Sequence, residues 1–101
     1  MYSKQVIVPN TIGDTSVAAI QLDSKSIGVY EYLTLTAIGS ITVWVLFSDK
    51  SITVLDVLNN GFPVGGDLYS MPLILKSSIV IDPATIWLAT SDGEGDCRAI
   101  A

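Results

Sequence analysis

The residues with the most chemical promise in this chain stand near its C-terminus, where "SDGEGD" sets Asp92, Glu94 and Asp96 at alternate positions between glycines. Three carboxylates so spaced could turn together onto a hard cation such as calcium. The rest of a calcium-loop pattern is missing, and an acidic turn is soluble without an ion, so no metal is expected. Two carboxylates could also serve as acid and base on a glycoside, but that work needs a cleft in which one of them is desolvated and its pKa raised. A tip on a 101-residue chain with little loop to spare offers poor walls for one. "PVGGD" at 63–67 has two glycines but neither the lysine nor the following Ser or Thr of a phosphate-binding loop, and it opens no helix. The chain has no histidine, which removes imidazole bases and the commonest zinc ligand. Cys97 is the single cysteine, so it closes no intrachain disulfide, and its expected role is that of a small buried hydrophobe. The expectation is a protein that is not an enzyme and carries no cofactor.

Aromatic side chains are the next candidates. Tyr30, Tyr32, Trp44 and Trp87 could stack on sugars or bases, but aromatics in strands are more often core or interface residues. Binding nucleic acid would also need basic residues beside them. The five bases Lys4, Lys25, Lys50, Lys76 and Arg98 are scattered singly among ten acids, for a net charge of −5, so no row of phosphates could be neutralised and no direct nucleic-acid contact is expected.

The elements that would position these residues are strands. Val, Ile and Thr make up 30 of the 101 residues, and β-branched side chains disfavour helix while packing well on a pleated sheet. Strands are predicted at 3–8, 17–22, 29–37, 40–47, 51–58, 73–76, 79–81, 84–91 and 96–101, some of which could merge. The breaks between them are rich in turn formers: Pro9-Asn10, Gly13-Asp14, Gly28, Gly39-Ser40 and Ser48-Asp49-Lys50. The 41–57 stretch reads as two strands folded back around Ser48-Asp49-Lys50, and "DGEG" reads as the tip of a C-terminal hairpin. The longest interruption, "NNGFPVGGDLYSMP" at 59–72, carries Phe62, Tyr69 and Met71 and reads as an ordered loop.

One antiparallel β-sandwich domain over 1–101, with about eight or nine short strands, satisfies one face of each strand by packing sheet on sheet. The other faces pose the question. Along 29–36 the alternation puts Val29, Glu31, Leu33 and Leu35 opposite Tyr30, Tyr32, Thr34 and Thr36, whereas along 41–48 Ile41, Val43, Val45 and Phe47 oppose Thr42, Trp44, Leu46 and Ser48, so both sides are mainly apolar, as in a strand covered twice. Charged residues are 15% of the chain against about 25% in a typical soluble domain. The long loop or a second chain must supply the missing cover, and symmetric homo-oligomers are the commonest source. The expected interface residues are Tyr30, Tyr32, Trp44, Phe62, Tyr69 and Met71. No membrane partner is expected, since "ITVWVLF" falls far below the roughly 18 apolar residues of a spanning helix and a small barrel would use nearly the whole chain. The start, "MYSKQVIVPN", lacks the apolar centre of a signal peptide and reads as that of a cytosolic product.

The C-terminal third, "LILKSSIVIDPATIWLATSDGEGDCRAIA", resembles the tail end of many small bacteriophage virion proteins. In those proteins a strand leads through a short Pro or Gly turn into a Thr-hydrophobic-Trp-hydrophobic strand, then a Gly-rich hairpin and a last strand with one Arg. The matching residues are Ile79 to Pro83, Thr85 to Leu88, Gly93, Gly95 and Arg98. The resemblance implies a small jelly-roll-like sandwich serving as a capsid decoration, cement or fibre-base protein. It would be made in the host cytoplasm, usually trimeric, and bound in many copies to partners such as the major capsid protein. A carbohydrate- or receptor-binding sandwich using the same aromatics is the alternative.

Overall fold

A computed structural model describes residues 2–11, 13–25, 28, 30–65, 73–91 and 93–101, with only the backbone placed for 73–80. Its strands are β1 (Ser3–Val8), β2 (Ile20–Gln21), β3 (Tyr30–Ile38), β4 (Val43–Phe47), β5 (Phe62–Val64), β6 (Leu73–Ile81), β7 (Ile86–Thr90) and β8 (Gly95–Ile100). One helix, α1 (Val54–Asn60), precedes β5, and a 3-10 turn at Pro83–Thr85 leads into β7. The strands form two four-stranded sheets, in the orders β1-β8-β3-β6 and β2-β7-β4-β5, and every pairing is antiparallel. The chain is mostly β, and its two sheets pack on a shared core, as the sandwich expectation requires.

That core takes alternate residues from both sheets: Val6 and Val8, Leu33 and Leu35, Cys97 and Ala99 from the first, Val43 and Val45, Val64, Ile86 and Leu88 from the second. The period-2 pattern dictates this placement. A bulge between Tyr30 and Tyr32 breaks the alternation in β3. Tyr30 consequently turns inward against the core, its ring 5.2 Å from that of Tyr2, while Tyr32 remains outside.

Residues 51–58 are not a strand, and 41–57 is not a hairpin. Thr53 caps a helix there: its hydroxyl accepts from the Asp56 backbone N–H at 3.3 Å and donates to the Asp56 carboxylate at 3.1 Å. Val54, Val57 and Leu58 fall on one helical face. The other first-turn N–H groups also find acceptors, Val54 on the Val17 carbonyl at 2.9 Å and Leu55 on that of Thr15 at 3.0 Å. Gly61 closes the helix by donating to the Val57 carbonyl at 2.8 Å. It must be glycine for want of space, because a Cβ there would lie 2.6 Å from the Val45 carbonyl oxygen.

Two further expectations are corrected. Part of 59–72, expected as a loop, is the edge strand β5 paired with β4. The predicted C-terminal hairpin is absent because β7 and β8 belong to different sheets. Gly93, at φ +151°, and Gly95, whose Cβ would lie 2.8 Å from Thr90 Cγ2 and 2.9 Å from Val43 Cγ2, let the chain cross the core instead of turning back. Elsewhere 73–76 and 79–81 merge into β6, and 17–22 shrinks to β2 with an isolated bridge between Ala18 and Thr53.

Candidate functional site

The second face of the β4 sheet is covered by the chain's own helix. Val54 and Val57 of α1 form a second apolar cluster with Ala19, Trp87 and Ala89, onto which Trp44, Leu46, Ile52 and Leu58 pack. All five residues of β7 are buried, Ile86, Leu88 and Thr90 toward the other sheet and Trp87 and Ala89 toward α1. Trp87 also donates from Nε1 to the Ser48 carbonyl at 3.0 Å, which ties the β4–α1 connection down.

The other sheet has no such cover among the described residues. Its outer face carries Ser3, Gln5 and Ile7 from β1, Asp96, Arg98 and Ile100 from β8, and Tyr32, Thr34, Thr36 and Ile38 from β3. The register sets Ile7, Asp96 and Ile38 in one row, Gln5, Arg98 and Thr36 in the next, and Ser3, Ile100 and Thr34 in a third. Gln5 links the polar members, donating to Asp96 Oδ2 at 2.8 Å and accepting from Arg98 at 3.2 Å. Ile7, Tyr32, Ile38 and Ile100 are each 42 to 56% exposed. Half of the eight large hydrophobics exposed among the described residues therefore share this one face.

The six expected interface residues are scattered by the fold. Tyr32 is 56% and Phe62 53% exposed, as a contact surface needs, but they stand on different sheets. Tyr30 is half-buried against the core, and Trp44 lies partly buried under α1. Tyr69 and Met71 fall outside the described residues. Ile7, Ile38 and Ile100 were the surface residues that sequence reasoning missed. Strand alternation could have found them once the core side of each strand was known.

Comparisons with family models, characterised proteins and solved structures return no match. The chain's chemistry must be read from its own geometry.

Two titratable side chains, Cys97 and Tyr2, lie in the core. Cys97 is fully buried, and burial, followed by the nearby Asp96 charge, pushes its thiol up to about 12, so it holds no thiolate at neutral pH. Tyr2 donates to the buried Asp23 at 3.2 Å. Burial first, then the Asp23 charge and this hydrogen bond, raises the phenol above its ordinary range. Asp23 also accepts from the Lys25 backbone N–H at 3.1 Å, which fixes the turn after β2. At the acidic tip, Asp92 lies outside the described residues, Glu94 points to solvent and Asp96 is held by Gln5. No group of three or more Cys, Asp or Glu among the described residues is placed to hold a metal ion.

Proposed function

We propose that this protein is a non-enzymatic structural component of a virus particle, a capsid decoration, cement or head–tail accessory protein that assembles with copies of itself and with the shell through apolar strand faces. The observation that carries the assembly reading is the asymmetry between the two sheets. One is roofed by α1, while the other presents Ile7, Tyr32, Ile38 and Ile100 on a face that no described element covers. Burying apolar area is worth about 25 cal/mol per Å². Repetition in an array multiplies modest contacts through avidity.

The particle reading draws its support from the connectivity. The pairs β1·β8, β2·β7, β3·β6 and β4·β5 are the rungs of one long antiparallel ribbon. Rolling that ribbon brings β8 against β3 and β7 against β4, and both contacts are present. This pairing order supports a jelly-roll reading, and jelly rolls are common in viral capsid proteins and also in lectins. A trimer carried on the shell in many copies is the form of the proposal.

Light scattering on the native chain and on a Tyr32→Ala, Ile38→Ala double variant tests it. The native chain should run as an oligomer and the variant as a smaller species with unchanged circular dichroism. A native monomer at high concentration that is retained on immobilised glycans would instead select the carbohydrate-binding alternative, which the lectin members of this architecture favour.

A further inference from the structure

We infer that β1 is the docking edge for a second copy of this chain, whose own β1 pairs antiparallel with it about a two-fold axis at Gln5 to make one continuous eight-stranded sheet. The inference stands on strand register and is independent of the virus-particle reading.

β1 ends its sheet, with β8 on one side only. The Ala101 N–H donates to the Tyr2 carbonyl at 3.0 Å, so Tyr2 and Ala101 are a hydrogen-bonded antiparallel pair. Such pairs alternate along a ladder. With the register Ser3↔Ile100 through Val8↔Gly95, residues Lys4, Val6 and Val8 turn their backbone groups toward β8, while Ser3, Gln5 and Ile7 turn theirs to the open side. Among the described residues no backbone meets those three. An unpaired edge of this kind is a template for another strand.

Beside it runs a groove of about 520 Å³ between β1 and β2, an edge strand of the other sheet. Val6, Ile20, Leu22 and Trp87 line it, with Lys4 and Gln21 among its polar residues. The upper part of the β2 flank is already closed, because Ala19 donates to the Ile52 carbonyl at 2.8 Å and Ala18 bridges Thr53. Among the described residues the longer run of unpaired backbone along this groove is that of β1, and the groove leaves room for side chains of an added strand on the core side.

The sequence of β1 selects its partner and register. Two antiparallel copies can bond only through their outward residues. Centring the axis on Lys4 sets Lys4 against itself, a like-charge pair that opposes association. Centring it on Val6 sets Ser3 against Pro9, which has no N–H to give. Centring it on Gln5 pairs Ser3 with Ile7, Gln5 with Gln5 and Ile7 with Ser3, uses all three outward residues of each copy, and sets Lys4 against Val6. Lys4 thus excludes one register instead of blocking the edge. The pairing is isologous, so it closes between two copies and joins protomers pairwise, whether each stands alone or within a trimer. It also joins the uncovered faces that carry Ile7, Ile38 and Ile100 in the two copies.

Hydrogen exchange of the native chain at low and high concentration tests this directly. The Gln5 and Ile7 amides should gain protection as concentration rises, while the Lys4, Val6 and Val8 amides are protected throughout. Rapid exchange of Gln5 and Ile7 at every concentration would overturn it. So would protection that appears only when an added extended peptide is present. Gln5→Pro, which removes an outward N–H and leaves the β8 ladder intact, should halve the mass in solution. Should that variant fail to fold, mild oxidation of Gln5→Cys gives an independent answer, because a hydrogen-bonded antiparallel pair sets its Cα atoms about 5.5 Å apart, within disulfide reach. Gln5→Cys should cross-link into dimers while Ser3→Cys, which faces Ile7, does not, and equal behaviour of the two would end the proposal.

Discussion

Gly61 shows how little freedom a single position has in this fold. A Cβ there would meet the carbonyl oxygens of Val57 and Val45, both backbone atoms that cannot swing aside. Gly61→Ala is expected to cost about 2 kcal/mol or more, read as a lower denaturation midpoint in urea. Thr53→Ala removes the acceptor of the Asp56 N–H and should cost about 1 kcal/mol in the same measurement. Cys97 gives a pH dependence. Its thiol ionises near 9.0 when exposed and at about 12 when folded, so the unfolded chain loses its proton first. A folded pKa raised in this way contributes stability that is complete below pH 9.0 and is lost as pH climbs toward about 12. Stability should fall by on the order of 2 kcal/mol by pH 11, and Cys97→Ala should remove that part of the slope. Tyr2 steepens the same decline at higher pH, since its phenol is also held neutral by the fold. The burial of Cys97 was legible in the sequence, whereas the crowding at Gly61 was not, because it depends on β4 lying beside the helix end.

α1 is the element that answers the question raised by the doubly apolar strand β4. The two-face pattern of Trp44 and Leu46 was readable, but the identity of the cover was not. "SITVLDVL" has enough β-branched residues to read as a strand, and the signals for helix were the Thr53-to-Asp56 cap spacing and the i, i+3, i+4 run of Val54, Val57 and Leu58. A helix of seven residues is too short to persist in water. It forms because segment 15–19 supplies its first acceptors and Trp87 and Ala89 supply its floor. Val57→Ala should therefore loosen the whole roof, costing about 2 kcal/mol and moving tryptophan emission to the red as Trp44 and Trp87 meet water. Emission unchanged in a destabilised variant would mean that the cover does not depend on α1 packing.

For the molecule as a whole, the contrast between a roofed sheet and one that no described element covers makes association the central prediction. If copies bury the face of Ile7, Tyr32, Ile38 and Ile100, the melting temperature must rise with protein concentration, because association stabilises the folded state by mass action. A melting temperature constant over a hundredfold range of concentration would show that this face stays in water. The two-faced pattern of 41–48 pointed toward association for a partly different reason. It treated Trp44 as surplus apolar surface, and the helix absorbs that surplus within the chain. Half of the large hydrophobics still exposed among the described residues lie together on the opposite sheet.

The amino-acid pattern was sufficient for a mostly β chain, for most strand positions and for the two faces of β3 and β4, though not for which face is the core, because alternation with period two and β-branched content are local properties that survive any arrangement of strands. It could not tell which strands pair. Antiparallel neighbours separated by a four-residue turn look alike whether they close a hairpin or, as β7 and β8 do, cross from one sheet to the other. The pairing depends on contacts far apart in sequence, such as Gly95 against Val43 and Ala18 against Thr53, which no local window contains. For the same reason the edge of β1, and the face beside it that no described element covers, became visible only when every other strand had found its place.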